Sequence, residues 1–250
     1  MPLYLLPEDL PVFPDPRQAE EGGLLALGGG LEPARVLMAY ARGIFPWNSA
    51  DEPLAWFCPA PRMLVELPGG LHVPRSLHKT RRRRTWRVTL DTAFAAVLAE
   101  CATPRPDQEG TWITPGITEV FTKLHAAGVA HSVEVWDGSE LIGGLYGLAI
   151  GGLFCGESMF ARRDDASKLG FVALAGQLGR WGFQMIDCQV ATEHLRRLGG
   201  VEVALDEFLA RLTVATRAPG RLGPWTFDAG APWASQGDHE AVDGDLEAAP

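Results

Sequence analysis

The sequence predicts an α+β fold, with a small loop-rich N-terminal lobe ahead of a larger lobe built on a mixed, mostly antiparallel sheet. Three observations lead there. Residues 1–62 are rich in Pro, Gly and Trp and contain one clear helical stretch. From about Met63 onward, apolar residues fall into alternating strand patterns and helix-length periodic runs, separated by turn residues. Three successive strands then lead into a helix and another strand, so antiparallel pairing passes into a strand–helix–strand unit.

The elements follow in order. Pro33 at a first-turn position, apolar Val36, Leu37 and Tyr40, and a stop at Gly43 predict a helix of about ten residues. The aromatic segments Phe45-Pro46-Trp47 and Pro53–Phe57 read as irregular. Arg87–Leu90 reads as a strand, and Asp91 is expected to cap a helix running to about Cys101. A Pro-rich loop spans Thr103–Gly110, and Thr114-Pro115 opens a second helix that ends at Gly128. His131–Trp136 alternates as a strand, Asp137-Gly138 turns it, and Leu141–Ile150 returns antiparallel. Gly151-Gly152 turns again into Leu153–Phe160. A helix over Ala166–Trp181 and a strand over Phe183–Gln189 complete a β-β-β-α-β core. A short helix near His194–Leu198, a strand near Val201–Ala204 and a helix from Asp206 come after it. This order resembles acyltransferases of the GCN5-related kind, so the larger lobe is expected to be GNAT-like. The expected division is residues 1–62 for the small lobe, 63–232 for the acyltransferase lobe and 233–250 for an acidic, disordered tail.

With 250 residues, 46% apolar and 21% charged, the composition is that of an ordinary soluble globular protein. Met1–Glu8 lacks a basic n-region and is rich in proline, which argues against a signal peptide. The longest uncharged stretch, Leu141–Gly156, is short for a membrane span. A cytoplasmic protein without membrane contact is expected. Cys58, Cys101, Cys155 and Cys188 show no CxxC spacing, so reduced thiols are expected, with neither a metal site nor a disulfide framework.

The net charge of −9 is unevenly spread. Leu71–Leu90 has no acidic residue, yet Arg75, Lys79, Arg81, Arg82, Arg83, Arg84 and Arg87 supply seven of the 22 basic side chains. The last 18 residues hold five acids and no Lys or Arg. A dense basic stripe attracts a polyanion locally even on an acidic protein, because salt screens distant charge within about 8–10 Å. A solvated basic surface loop is the plainer reading of the same run.

The segment Phe154-Cys155-Gly156-Glu157-Ser158-Met159-Phe160, with Ile186-Asp187-Cys188-Gln189 a helix length later, sets carboxylates inside apolar strands. An unpartnered buried carboxylate is costly, so Glu157 and Asp187 are either satisfied structural groups at strand ends or the polar centre of a substrate site. The coenzyme A pyrophosphate turn of the acetyltransferases, [QR]-x-x-G-x-[GA], is not met. Arg196–Val201 fails at its last position and follows the wrong strand, and Arg162–Lys168 stands at the expected place. An acyl-transfer fold without the usual carrier site implies another carrier.

At this point the residues match a known family. Gly23–Gly29, Tyr40–Trp47, Gly110–Ile113, His131–Trp136, Phe154–Phe160, Ala166-Ser167-Lys168 and Ile186–Gln189, in this order, resemble the bacterial leucyl/phenylalanyl-tRNA–protein transferases over roughly residues 3–212. The resemblance implies transfer of Leu or Phe, and Met less well, from aminoacyl-tRNA to an N-terminal Arg or Lys, marking the acceptor for N-degron degradation. It implies no cofactor and no metal, and a monomer is expected. The basic stripe, with Arg75, Lys79 and Arg81–Arg84, would hold the acceptor stem by phosphate contacts. Tyr40, Trp47 and Trp112 would lie around the terminal adenosine. Leu145, Phe154, Gly156, Met159, Phe171, Leu174 and Ile186 would line the aminoacyl pocket. Glu157 would meet the donor's α-ammonium or nearby polar groups, and Asp187 and Gln189 would form a relay at the acceptor amine. In that relay Gln189 more plausibly orients the amine, while Asp187 either fixes Gln189 or attracts the cationic acceptor. Gly30, Phe57-Cys58-Pro59-Ala60-Pro61, Phe121, Asp165 and Thr192 depart from the family pattern and bear on finer polar contacts. A coenzyme-A-dependent N-acetyltransferase and a non-catalytic RNA-binding module are the rival classes.

Overall fold

The structure, a computed structural model, describes residues 3–49, 51–104 and 111–231. Four short strands that the sequence leaves as irregular, β1 (Tyr4–Leu6), β2 (Leu24–Gly28), β3 (Phe45–Pro46) and β4 (Ala55–Phe57), form a sheet of order β1-β2-β4-β3. Two to five residues per strand are too few for a periodicity signal, so only the pairing in space reveals them. Helix α1 (Pro33–Tyr40) packs beside them, with Pro33 at its first turn as expected. Trp56 is fully buried, donates its indole N–H to the Gly28 carbonyl at 2.9 Å and meets the Phe13 ring edge-on.

The larger sheet has seven strands, in the order β11-β5-β10-β9-β8-β7-β6. They are β5 (Arg62–Glu66), β6 (Arg87–Leu90), β7 (Ala130–Asp137), β8 (Glu140–Ile150), β9 (Leu153–Ala161), β10 (Met185–Gln189) and β11 (Val201–Val203). Within this sheet β9–β10 pair in parallel and the other neighbours run antiparallel. A parallel pair needs a crossover, and α5 (Ala166–Arg180) supplies it. The α+β class and the β-β-β-α-β core are therefore as the sequence predicts. The sequence missed β5, whose Met63, Leu64 and Val65 form an unbroken buried run without alternation, and which enters between β10 and β11.

The two faces of the sheet carry separate cores. On one, α5 covers Val133, Val135, Leu145, Phe154 and Ile186. On the other, α3 (Phe94–Ala102), α4 (Pro115–Ala126) and α1 enclose Tyr146, Leu148, Leu153 and Cys155. Alternation along β8 explains the split, since Leu145 and Tyr146 point to opposite faces. Helix α6 (Glu193–Arg197), capped by Thr192, and α7 (Leu205–Ala215) flank β11 in sequence, and α7 packs Phe208, Leu212 and Ala215 into the second core.

Two local expectations are corrected. Asp91 does not cap α3, which starts at Phe94 without a side-chain cap. Its carboxylate accepts instead from the Ser132 N–H at 2.9 Å, from the Trp225 N–H at 2.7 Å and from His131 Nδ1 at 2.8 Å, so it fastens the C-terminal segment to the sheet. The basic stripe is not a loop: Arg75–Arg83 form helix α2, anchored by buried Leu77, with the arginines exposed. The loop residues 105–110 and the acidic tail lie outside the described residues.

Candidate active site

The site forms where β9 and β10 part. Their ladder runs Met185↔Leu153, Ile186↔Phe154 and Asp187↔Cys155, and ends there. Up to Cys155 the residues of β9 are buried; from Gly156 to Phe160 they are half-buried. The second half of β9 therefore continues, half-buried, beyond the C-terminal end of a parallel strand pair, the kind of position where open α/β sheets take ligands.

Two irregularities place the polar groups there. Across β8–β9 the register passes from Tyr146↔Ser158 to Gly147↔Gly156, so Glu157 is the extra residue of a bulge. A Cβ on Gly147 would lie 2.2 Å from the Cys155 carbonyl, so only glycine fits beside this bulge. Across β5–β10 the register passes from Leu64↔Asp187 to Met63↔Gln189, which leaves Cys188 extra and puts Gln189 at φ +63°. A bulge re-aims a side chain relative to the pleat. Here two of them on neighbouring strands bring Glu157 and Gln189 together: Gln189 Nε2 donates to Glu157 Oε1 at 2.9 Å.

The other Glu157 oxygen accepts from the Tyr40 hydroxyl at 2.7 Å, which ties α1 to β9. Burial pushes the Glu157 carboxyl up to about 8; the Tyr40 hydrogen bond opposes this, and the nearby Asp187 charge adds to it. The same burial, reinforced by the Glu157 charge, pushes the Tyr40 and Tyr146 phenols well above their ordinary range. Glu134, fully buried on β7, offers a contrast. It accepts from Ser132 Oγ at 2.5 Å, Thr89 Oγ1 at 2.6 Å and Thr92 Oγ1 at 2.8 Å, and so is a saturated structural carboxylate. Glu157 is held by fewer donors, Tyr40 and Gln189.

Asp187 is built differently again. Its two oxygens accept from Arg62 Nε at 2.8 Å and Nη2 at 2.7 Å, and Oδ1 also accepts the Gln189 backbone N–H at 2.9 Å. Both side chains are at most 2% exposed, and the guanidinium lies over the rings of Phe45 and Phe208. Arg62 is the functional candidate that the sequence reading missed. The signal available was a lone arginine opening an apolar run, Arg62-Met63-Leu64-Val65, the same pattern that drew attention to Glu157 and Asp187.

Leu145, Phe154, Phe171, Leu174 and Ile186 all pack into the core beneath α5, with Met159 partly buried against them and Gly156 half-buried beside them. The residues expected to line an apolar pocket thus form one wall on one face of the sheet. Of the aromatic residues expected around an adenosine, Trp47 is 45% exposed, edge-on to Phe57, and Trp112 is half-buried. Tyr40 is 2% exposed, meets Phe121 edge-on and donates its hydroxyl to Glu157. Arg75, Lys79 and Arg81–Arg84 are exposed on α2. Among the described residues no cluster of His, Cys, Asp or Glu is placed to hold a metal ion, and no helix is long and apolar enough to cross a membrane.

A family model described as leucyl/phenylalanyl-tRNA protein transferase matches residues 65–213, and one described as its N-terminal domain matches residues 29–60. Proteins named leucyl/phenylalanyl-tRNA–protein transferase are similar throughout. The one from Anaeromyxobacter dehalogenans (strain 2CP-C) is 52% identical over 233 residues, covering 93% of this chain and 99% of its own. That from Nitratidesulfovibrio vulgaris (strain DP4) is 54% identical over 226 residues, covering 90% and 96%. That from Myxococcus xanthus (strain DK1622) is 51% identical over 233 residues, covering 92% and 99%. The chain belongs to the leucyl/phenylalanyl-tRNA–protein transferase family and is an aminoacyltransferase.

Proposed function

We propose that this protein transfers Leu or Phe, and Met less well, from aminoacyl-tRNA to the N-terminal Arg or Lys of acceptor proteins, marking them for N-degron degradation in the cytoplasm. The observation that carries this reading is the bulge pair: Glu157 and Gln189 meet where the β9–β10 ladder ends, two residues from Met159 of the apolar wall. That juxtaposition suits a donor with an apolar side chain and an α-ammonium, which an acetyl group on coenzyme A lacks. The same feature disfavours a purely RNA-binding module, because no phosphate contact calls for it.

In this reading the donor side chain rests against Met159, Leu145, Phe154, Phe171, Leu174 and Ile186, with Gly156 giving room for its backbone. The flexible thioether of Met159 adapts to both branched and aromatic donors. Trp47 and Trp112 stack against the terminal adenosine, a contact worth about 1–3 kcal/mol per base. Helix α2 holds the acceptor stem through phosphate contacts.

In the reaction itself, a C–N bond forms between the acceptor α-amine and the donor carbonyl carbon. The ester C–O bond to the terminal ribose breaks, and the amine proton ends on the released hydroxyl. The ester supplies the driving force, so positioning accounts for much of the rate. The acceptor must lose a proton first. An α-ammonium titrates near 7.7–8.0, and the Glu157 carboxyl is pushed up to about 8, so proton transfer between them is nearly balanced. Gln189 spends its amide N–H on Glu157, and its amide oxygen faces the role of orienting the amine. Asp187, neutralised by Arg62, serves to hold the Gln189 backbone in its left-handed conformation. That favours the fixing role over direct attraction of the acceptor.

The test is incubation with labelled Leu-tRNA and a peptide beginning with Arg, against one beginning with Ala. Transfer to the first without ATP, metal or coenzyme A is expected. Equal transfer to both peptides, or a requirement for coenzyme A, overturns the reading.

A further inference from the structure

We propose that Trp225 is a specificity-determining residue: acting through the Phe154 ring, it sets how deep a donor side chain reaches along the apolar wall. The proposal rests on the reading of that wall as the aminoacyl pocket and adds to it a residue from the segment after α7.

The wall has a shallow end and a deep end. Along β9 it runs from Met159, half-buried and two residues from Glu157, to Phe154, which is 1% exposed and pairs with fully buried Ile186. A donor whose α-ammonium meets Glu157 points its side chain from Met159 toward Phe154, so Phe154 is the floor.

Two neighbours decide where that floor lies. The Phe154 ring leans over Gly147 of β8, where a Cβ would lie 2.6 Å from its Cε1 and Cζ. Trp225 meets the same ring, with centroids 6.0 Å apart and planes inclined by 40°.

Trp225 is fixed by groups other than Phe154. The segment that carries it is moored on both sides. The Gly223 N–H donates to the Gly128 carbonyl at 3.1 Å, just ahead of β7. Asp228 accepts from Gln177 Nε2 at 2.8 Å and Trp181 Nε1 at 3.0 Å, near the C-terminal end of α5. Between these moorings the Trp225 backbone N–H donates to Asp91 at 2.7 Å, and its indole N–H donates to the Arg221 carbonyl at 3.1 Å. The indole stacks on His131 at 3.5 Å with the planes 6° apart, and Asp91 also holds His131, at 2.8 Å. Trp181 and Phe183 meet it edge-on. His131 is the register partner of Gly147, so the ring that braces Trp225 and the glycine under Phe154 are neighbours across β7–β8.

A ring held by backbone bonds and stacking acts as a backstop, and Phe154 takes the place left to it. Protein interiors are close-packed, so the floor yields only when atoms behind it are removed. A smaller side chain at 225 lets Phe154 settle back and lengthens the pocket. That favours the longer Phe donor over Leu. A purely structural Trp225 predicts lost stability at an unchanged donor ratio.

The test is competition between labelled Leu-tRNA and Phe-tRNA for one Arg-initiated peptide, with the full chain. Trp225→Phe keeps a ring on His131 and should raise the Phe-over-Leu ratio of kcat/KM about 3–10-fold, less than the tens-fold effect of a residue that touches the donor. Leu124→Ala, in the core on the opposite face of the sheet, should lower stability and leave the ratio unchanged. An unchanged ratio in folded Trp225→Phe overturns the proposal. If that variant does not fold, Asp228→Ala decides. It loosens the mooring and should shift the ratio the same way by a smaller factor, and no shift overturns the proposal. Phe154→Leu tests the route. It should change the ratio by itself, and adding Trp225→Phe should then bring no further change. A full further shift overturns action through Phe154. If Phe154→Leu leaves the ratio untouched, the pocket reading has failed, and the role of Trp225 falls with it.

Discussion

Arg62 and Asp187 form a buried, bidentate ion pair whose carboxylate also accepts the backbone N–H of Gln189. Through this pair, strand β5 fixes the bulge on β10 and thereby sets the position of the Gln189 side chain against Glu157. The guanidinium also lies over two rings, Phe45 from the small sheet and Phe208 from α7, so the pair ties distant parts of the chain to the site.

Removing one partner should therefore cost far more than removing both. Arg62→Met strands a buried carboxylate and is expected to lower stability by about 3–5 kcal/mol, whereas Arg62→Met with Asp187→Leu recovers most of it. Urea unfolding measures both. Asp187→Asn, close in volume, should lower single-turnover rates for Arg- and Lys-initiated acceptors by similar factors while leaving tRNA affinity nearly intact. A fully active Asp187→Asn protein would exclude Asp187 from the mechanism.

The raised Glu157 titration has a stability signature with a definite sign. Its folded value lies near 8 and its unfolded value near 4.5, so between these the folded state binds more protons than the unfolded one. Stability from this group is full below about pH 4.5 and is lost progressively as pH rises to about 8. Glu157→Gln should remove that part of the slope. Chemical denaturation of both proteins at pH 5, 6.5 and 8 checks it; parallel profiles would contradict the buried titration.

Tyr40→Phe removes one donor that holds the Glu157 carboxylate. It should move the pH profile of transfer to higher pH and lower turnover, with little effect on tRNA affinity, since Tyr40 is 2% exposed. A weakened tRNA affinity at unchanged turnover would support the adenosine role.

Met159→Ala trims the apolar wall at its half-buried edge. A hydrophobic pocket discriminates by about 1–3 kcal/mol per methylene, so preference among Leu, Phe and Met donors should shift roughly tens-fold without abolishing turnover. Competition between two labelled donors reads the shift directly.

Replacing Arg81–Arg84 by Ala should weaken tRNA binding and flatten its salt dependence by about 0.7–0.9 per lost phosphate contact. Donor preference should not change, because phosphate contacts position the RNA without selecting the amino acid. An unchanged salt slope would leave α2 as a solvated surface helix.

The amino-acid sequence by itself determined the long elements of the large lobe. β7, β8, β9 and α5 each carry their periodicity over eight residues or more, and turns such as Asp137-Gly138 and Gly151-Gly152 fix their register. It also exposed Glu157 and Asp187, since a charge inside an apolar run is visible without coordinates. Only the tertiary structure decided what those charges do. The four-stranded sheet, β5 and the Arg62–Asp187 pair arise from contacts between residues far apart in the chain, and such pairings leave no local pattern. Tyr40 shows the same limit: its position on α1 was legible, but burial against Phe121 and the bond to Glu157 depend on how α1 docks on β9. The two bulges that bring Glu157 and Gln189 together are shifts of a single residue between strands, and pairing register is fixed by packing across the sheet.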